Sequence, residues 1–180
     1  MAPSPWVQRH AALIPAGEVL DLACGGGRHA RLLAGLGHAV LGVDRDVDAL
    51  AQAAGPGIVT LLADLEGEGR RWPFARGRFA GIVVTNYLHR PLIADLLGSL
   101  APDGVLIYET FAAGNGQFGK PSNPAFLLDG GEMLGWAGTF GLRVVAYEEG
   151  RVAAPKAAMV QRLCAVNGNF PWPAALLAAF

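Results

Sequence analysis

At 180 residues the chain is long enough to bury a core within one domain. Its 52% hydrophobic and 16% charged content excludes a disordered polymer, and a formal net charge of −1 supplies no field to draw it to nucleic acid or anionic lipid. Cys24 and Cys164 lie far apart, outside any metal-ligand spacing, as expected of reduced thiols in a cytoplasmic protein.

The N-terminal stretch SPWVQRHAALI reads as a short helix, with Trp6 set across a ligand mouth or against the core, and it lacks the basic-then-apolar order of a signal peptide. Strand-like runs follow at 18–23, 39–44, 58–63, 79–85 and 104–111, with helices expected at 28–36, 46–54 and 90–101. Apolar strands joined by short helices imply parallel β-α units, here five, with right-handed crossovers. Two later runs, 142–149 and 157–166, are separated by the residues around Gly150 and read as an antiparallel edge hairpin. The expected fold is therefore α/β: a Rossmann-like, doubly wound sheet of about seven strands, mostly parallel with a terminal antiparallel hairpin, forming one domain over 1–180. Residues 112–131 hold five glycines and two prolines at the carboxyl end of the fifth strand, the edge where open α/β sheets bind ligands. A loop of that length is expected to be a substrate lid, or else a surface excursion. Residues 163–180 carry no charge, but Pro171, Pro173, Asn167 and Asn169 argue against a spanning helix, so no membrane association is expected.

The stretch VLDLACGGGRHA, residues 19–30, carries the chemistry. Gly25-x-Gly27-x-x-Ala30, with Asp44 about twenty residues on, satisfies the relaxed dinucleotide fingerprint. Both glycines let backbone approach a ligand, and Asp44 can accept hydrogen bonds from ribose hydroxyls. An NAD(P)-dependent oxidoreductase fits this much. Asp21, four residues before Gly25, tips the balance: a carboxylate there repels a pyrophosphate but suits a cationic ligand. The oxidoreductase reading needs Asp21 to be purely structural, and neither Lys120 nor Lys156 follows a Tyr by four residues, as a short-chain reductase requires.

These motifs together resemble the class I S-adenosylmethionine-dependent methyltransferases. VLDLACGGG is similar to that family's first motif, with Asp21 as its acid and Ala23 where a glycine is usual. VLGVDRD resembles the second, which implies Asp44 on the ribose and Arg45 beside the adenine. LLADLE resembles the third, implying Asp64 at the adenine amino group and Leu65 on its face. GIVVTNYLHR resembles the fourth, implying Asn86, Tyr87 and Leu88 beside the methionine moiety and reactive methyl. The resemblance covers about residues 17–111 and implies S-adenosylmethionine as cofactor, S-adenosylhomocysteine as product and no metal. The loop YETFAAGNGQFGKPSNPAFLL resembles, more loosely, one in small bacterial methyltransferases of the tellurite-resistance and thiopurine type, implying a lid with Phe111, Phe118 and Lys120 as contacts.

Methyl transfer from a sulfonium is an in-line displacement from an activated leaving group, so alignment is the protein's main contribution. A general base is needed only if the acceptor enters protonated. His89, whose residue type titrates nearest neutrality, is the leading candidate, with Glu109 and Tyr87 beside it. Their plainer readings are a helix cap, a buried hydrogen-bonded acid and a pocket wall. His29 reads as packed rather than catalytic, and Arg28 as a ligand contact or a solvated side chain. The fourth motif lacks the Pro-Pro of base-nitrogen methylases, which disfavours a nucleic-acid substrate. The expected partner is a small-molecule methyl acceptor, and the protein a monomer or homodimer. A non-catalytic relative that keeps the fold is the remaining rival.

Overall fold

The computed structural model describes residues 2–171 other than 68, 70 and 155. The apolar end of the chain, 172–180, on which part of the argument against a spanning helix rests, lies outside the described residues. Among the described residues no helix is long and apolar enough to cross a membrane.

Seven strands form one sheet: β1 (Glu18–Leu22), β2 (Ala39–Asp44), β3 (Ile58–Leu62), β4 (Phe79–Thr85), β5 (Leu100–Phe111), β6 (Arg143–Val152) and β7 (Ala158–Val166). Their order is β3-β2-β1-β4-β5-β7-β6. The first five are parallel, and β7 runs antiparallel to both β5 and β6. The helices are α1 (Pro5–His10), α2 (Arg28–Gly35), α3 (Val47–Ala53), α4 (Ile93–Gly98) and α5 (Glu132–Phe140). β4, FAGIVVT, is buried along its whole length, as a continuous apolar run must be when helices cover both faces of a sheet.

Strand parity divides the core. Leu20, Leu22, Ile82, Val84, Leu106 and Tyr108 pack beneath α4 and α5. Val19, Val83, Val105 and Ile107 pack beneath α1 and α2. Asp21, Thr85 and Glu109 share the parity of this second set, so three polar side chains point toward α1 and α2 at the carboxyl edge. Ser4 caps α1 by accepting the Trp6 N–H at 3.2 Å, and Pro5 opens the helix. Trp6 is 2% exposed and donates from Nε1 to the Leu163 carbonyl at 3.4 Å, so it packs against the core and not across a ligand mouth.

The structure corrects four expectations. The helix expected at 90–101 is a 3-10 turn at Arg90–Leu92 followed by α4, and Leu100 already belongs to β5, paired with Phe79. Among the described residues β3 passes to β4 without a helix, so the β-α repeat is interrupted there. The hairpin does not turn at Gly150, which lies within β6 opposite Val160; the ladder continues to Val152, paired with Ala158. The helix α5 was not expected, because its sequence, EMLGWAGTF, carries two glycines and starts and stops on left-handed glycines, Gly131 and Gly141.

Candidate functional site

The carboxyl ends of β1, β2 and β3 form a cleft of about 110 Å³, lined by Ala23, Asp44, Arg45, Asp64, Leu65 and Tyr87 among others. Asp44 organises it. One carboxylate oxygen accepts the Gly25 N–H at 2.7 Å and the other the Asp46 N–H at 3.0 Å, so the end of β2 fixes the loop that follows β1. The two loop glycines play different parts. A Cβ on Gly25 would meet nothing within 4 Å, leaving that backbone open to an approaching ligand. A Cβ on Gly27 would lie 2.6 Å from the Ala53 Cβ, so this glycine is required for α2 to pack against α3 rather than for ligand approach.

Among the described residues, two other than glycine hold a left-handed backbone, Ala23 (φ 53°) and Asn86 (φ 56°). They follow β1 and β4 directly, on the ligand edge of the sheet. Such a conformation costs an alanine about 1–2 kcal/mol and persists where the surroundings over-determine it, which is typical of binding loops. For Asn86 the hold is visible: its N–H donates to the Glu109 carbonyl at 2.9 Å.

Asp21 lies under the glycine loop, 1% exposed, and does not line the cleft. Its carboxyl accepts the N–H of Ala30 in the first turn of α2, a helix whose cap residue Gly27 has no side chain to offer. The Oδ2 atom is buried without a partner. Burial raises the Asp21 pKa to about 7, with Asp44 adding to it and the Ala30 N–H and Arg28 opposing. A cation in the cleft above would restore its charge.

The fourth-motif residues separate. Tyr87 stands on the cleft wall with its phenol hydrogen-bonded to Glu66, and burial followed by the Glu66 charge raises its pKa. Glu66 also lies 3.8 Å from Arg45, and its N–H donates to Asp64 at 3.0 Å, so Arg45, Glu66 and Tyr87 bridge one side of the cleft. Glu66 closes the LLADLE stretch but was missed in the sequence, because the resemblance implies roles there for Asp64 and Leu65 alone. The Tyr108 hydroxyl donates to the Tyr87 carbonyl at 2.9 Å. Asn86 is exposed, His89 half-buried, and Leu88 is buried in the core with 5% exposure.

A buried polar chain runs behind this wall. The Ser4 N–H donates to His29 Nε2 at 3.0 Å, which leaves the ring proton on Nδ1, facing Thr85 Oγ1 at 3.4 Å. Ser4 Oγ donates to Glu109 at 3.0 Å, and Glu109 ion-pairs with Arg162, its cross-strand neighbour on β7, at 2.6 Å. His29 is thus a packed, neutral side chain whose pKa burial and then Arg28 lower to about 4. Ser4 and Arg162 carried no motif, and only register brings them to Glu109.

Arg90, the last residue of the fourth-motif stretch, is a hub. It holds Glu132 of α5 through two bonds of 2.8 and 2.7 Å and donates to the carbonyls of Ala125 and Leu127 at 3.0 and 2.9 Å. The loop 112–131 is closed at its base by Ala113 N–H to Leu128 and Leu128 N–H to Phe111. Arg90 therefore ties that loop to the end of β4. Phe111 and Phe118 are half-buried and Lys120 is exposed. Open backbone at Gly25, an unpartnered carboxylate oxygen beneath it and a carboxylate at the end of β2 fit an adenosine whose amino-acid half is cationic.

Residues 19–104 match a family model described as a methyltransferase domain. No curated protein matches the sequence. Among solved structures, TehB from Haemophilus influenzae is 18% identical with a TM-score of 0.74, over 92% of this chain and 63% of that one. This chain thus spans less than two thirds of TehB. An S-adenosylmethionine-dependent methyltransferase from Mesorhizobium loti is 19% identical with a TM-score of 0.66, over 91% and 99% of the two chains. A 1,6-didemethyltoxoflavin-N1-methyltransferase from Burkholderia thailandensis, solved with its namesake compound and S-adenosylhomocysteine, is 21% identical with a TM-score of 0.64, over 91% and 76%. Identities this low speak to the fold alone, and the family model speaks to residues 19–104, the first four strands and their motifs: that stretch of the chain is similar to a methyltransferase domain, set in a fold that S-adenosylmethionine-dependent methyltransferases share.

Proposed function

We propose that the protein transfers a methyl group from S-adenosylmethionine to a small-molecule acceptor. The observation that carries the cofactor reading is the 2.7 Å bond from the Gly25 N–H to Asp44, which sets open loop backbone beside a carboxylate at a topological switch of the sheet. In this reading Asp44 accepts the ribose hydroxyls with its remaining lone pairs. Asp64 and Leu65 take the adenine edge and face, with Arg45 beside them. Ala23, Gly25 and Gly27 shape the loop over the amino-acid half, with the buried Asp21 carboxylate as its counter-charge. Asn86 and Tyr87 border the methyl, and Leu88 supports them from the core.

When bound, S-adenosylmethionine supplies a methyl on a sulfonium for an in-line displacement. The chain's own part is to align the acceptor and exclude water, with 112–131 as the lid held down by Arg90. His89 is the residue we assign to receive an acceptor proton on its ring, where the acceptor brings one. Both oxygens of Glu109 are occupied, by Ser4 and Arg162, so we assign it to positioning the N-terminal segment. Tyr87, with its raised pKa, serves as a hydrogen-bond donor and not as a base. That the Burkholderia relative binds 1,6-didemethyltoxoflavin supports a small acceptor here.

Thermal unfolding with S-adenosylmethionine, S-adenosylhomocysteine, NAD and NADP in parallel tests the cofactor, since a ligand of the native state raises its midpoint. Asp44→Ala should weaken S-adenosylhomocysteine binding about 100-fold by calorimetry, from two lost charged hydrogen bonds and a loosened loop. Unchanged affinity, or a shift with the nicotinamide nucleotides alone, overturns the reading.

A further inference from the structure

The carboxyl edge of the sheet is divided by charge. Above β1, β2 and β3 carboxylates gather: Asp21, Asp44 and Asp64, with Asp46 and Glu66 beside them. Past β5 the pattern inverts. The chain has two lysines, Lys120 and Lys156, 36 positions apart, and the fold brings both to one stretch of the loop 112–131. Lys156, in the β6–β7 turn, places its Nζ 3.1 Å from where a Cβ on Gly119 would sit, so it lies against the residue next to Lys120. Arg151, near the end of β6, lays its guanidinium over the Phe118 ring, 5.4 Å from the centroid. Two cations, Lys156 and Arg151, therefore meet Phe118 and Gly119, and the exposed Lys120 follows them in the chain.

The acids of that side have other partners. Glu148 pairs with Arg9 and Arg162, Glu132 with Arg90 and Glu109 with Arg162. Glu149 accepts from the Gly131 N–H and from Tyr147. Asp129, at the base of the loop, is the remaining one. Like charges gathered on one surface repel, and a ligand of opposite sign removes that cost. The arrangement is also ordered: the base of the loop is tied at Ala113 and Leu128 and pinned by Arg90, so Phe118 and its neighbours face the hairpin end on a fixed support.

We propose that Lys120, Lys156 and Arg151 form an anion site at the rim of the acceptor pocket, and that the methyl acceptor carries a carboxylate or phosphate bound there. This rests on the reading of 112–131 as the acceptor lid. Phe118, already stacked under Arg151, offers an apolar face beside the charges, which suits an anionic group attached to a planar or apolar body. The charge split along the edge keeps the cationic cofactor and the anionic acceptor each on its own half, with the fourth-motif residues between them.

The test uses the full chain with two probes, inorganic phosphate and benzoate, at constant ionic strength and in the presence of S-adenosylhomocysteine. Amide resonances of Gly119, Lys120, Arg151 and Lys156 are followed by NMR. The proposal expects saturable shifts at these residues, stronger for benzoate if the Phe118 face contributes. The double variant Lys120→Gln/Lys156→Gln should weaken them about tenfold with no loss of melting midpoint. Shifts that are absent, or equal in the variant, overturn the anion site. S-adenosylhomocysteine binding is measured in the same samples. If it binds and the anions do not, the anion site alone falls; if the anions bind and it does not, the cofactor reading falls instead.

Discussion

Asp21 gives the sharpest prediction, because its burial sets stability against binding. An acid whose folded pKa lies above its unfolded one binds more protons in the folded state between the two values. Stability therefore falls as pH rises from 3.8 toward about 7, and the penalty is complete above that. At about 1.4 kcal/mol per tenfold, the separation amounts to a penalty of about 4 kcal/mol. Asp21→Asn removes the charge and keeps an acceptor for the Ala30 N–H, but it leaves amide hydrogens at the unpartnered Oδ2 position, costing about 1–3 kcal/mol. The apo variant should be more stable than wild type at pH 8 by about 1–3 kcal/mol, roughly 3–10 °C in melting midpoint for a chain of this size. Toward pH 4 the order should reverse. Binding should move the other way. A cationic cofactor favours the ionised carboxyl, so wild type should release about one proton on binding S-adenosylmethionine at pH 6 and bind about tenfold more tightly per pH unit up to 7. Calorimetry in two buffers of different ionisation heat counts that proton. No released proton, or an Asp21→Asn protein less stable than wild type at pH 8, would refute the placement of an unpaired acid beneath the loop.

Three further outcomes follow from single side chains. Arg90→Ala strips Glu132 and two loop carbonyls of their donor, at a cost of about 2–4 kcal/mol to the docked loop, so amide exchange at Ala113 and Leu128 should accelerate far more than global stability falls; unchanged exchange there means Arg90 does not hold the loop. Ala23→Gly should stabilise the apo protein by about 1 kcal/mol, read from denaturant midpoints, because glycine adopts φ 53° without a Cβ penalty; a loss of stability would show that the alanine is not strained. His29 accepts the Ser4 N–H, so protonating it opposes donor to donor. With its folded pKa near 4 against 6.5, the His29 contribution to stability should fall as pH drops from 6.5 toward 4, by about 3 kcal/mol and against the trend from Asp21, so His29→Gln should gain on wild type by about 2 kcal/mol between melts at pH 7 and pH 5, with an equal slope in both proteins counting against it.

The strands were legible because each is a nearly continuous apolar run, and such runs bury only in a sheet covered on both faces. Asp21, Gly25 and Asp44 were legible as a set because a loop after the first strand, with an acid at the end of the second, is a local spacing that chain order preserves. Helix α5 escaped because its glycines suppress helical periodicity, and the start of β5 at Leu100 escaped because it depends on the partner Phe79 and not on local pattern. The site divides in the same way. That Gly27 serves packing while Gly25 faces open space depends on how close Ala53 comes, which no spacing reveals. Asp21 looked like a ligand contact in the sequence; its depth under the loop, and so its raised pKa, follows from the helix that closes over it. Ser4 with Glu109, Arg90 with Glu132, and Lys120 with Lys156 lie 105, 42 and 36 positions apart. Sequence by itself determined which residues could carry charge and where the chain would turn. Which charges meet was decided by the strand order β5-β7-β6 and the loop pinned beside it, because pairing across a sheet edge is set by register and closure and not by distance along the chain.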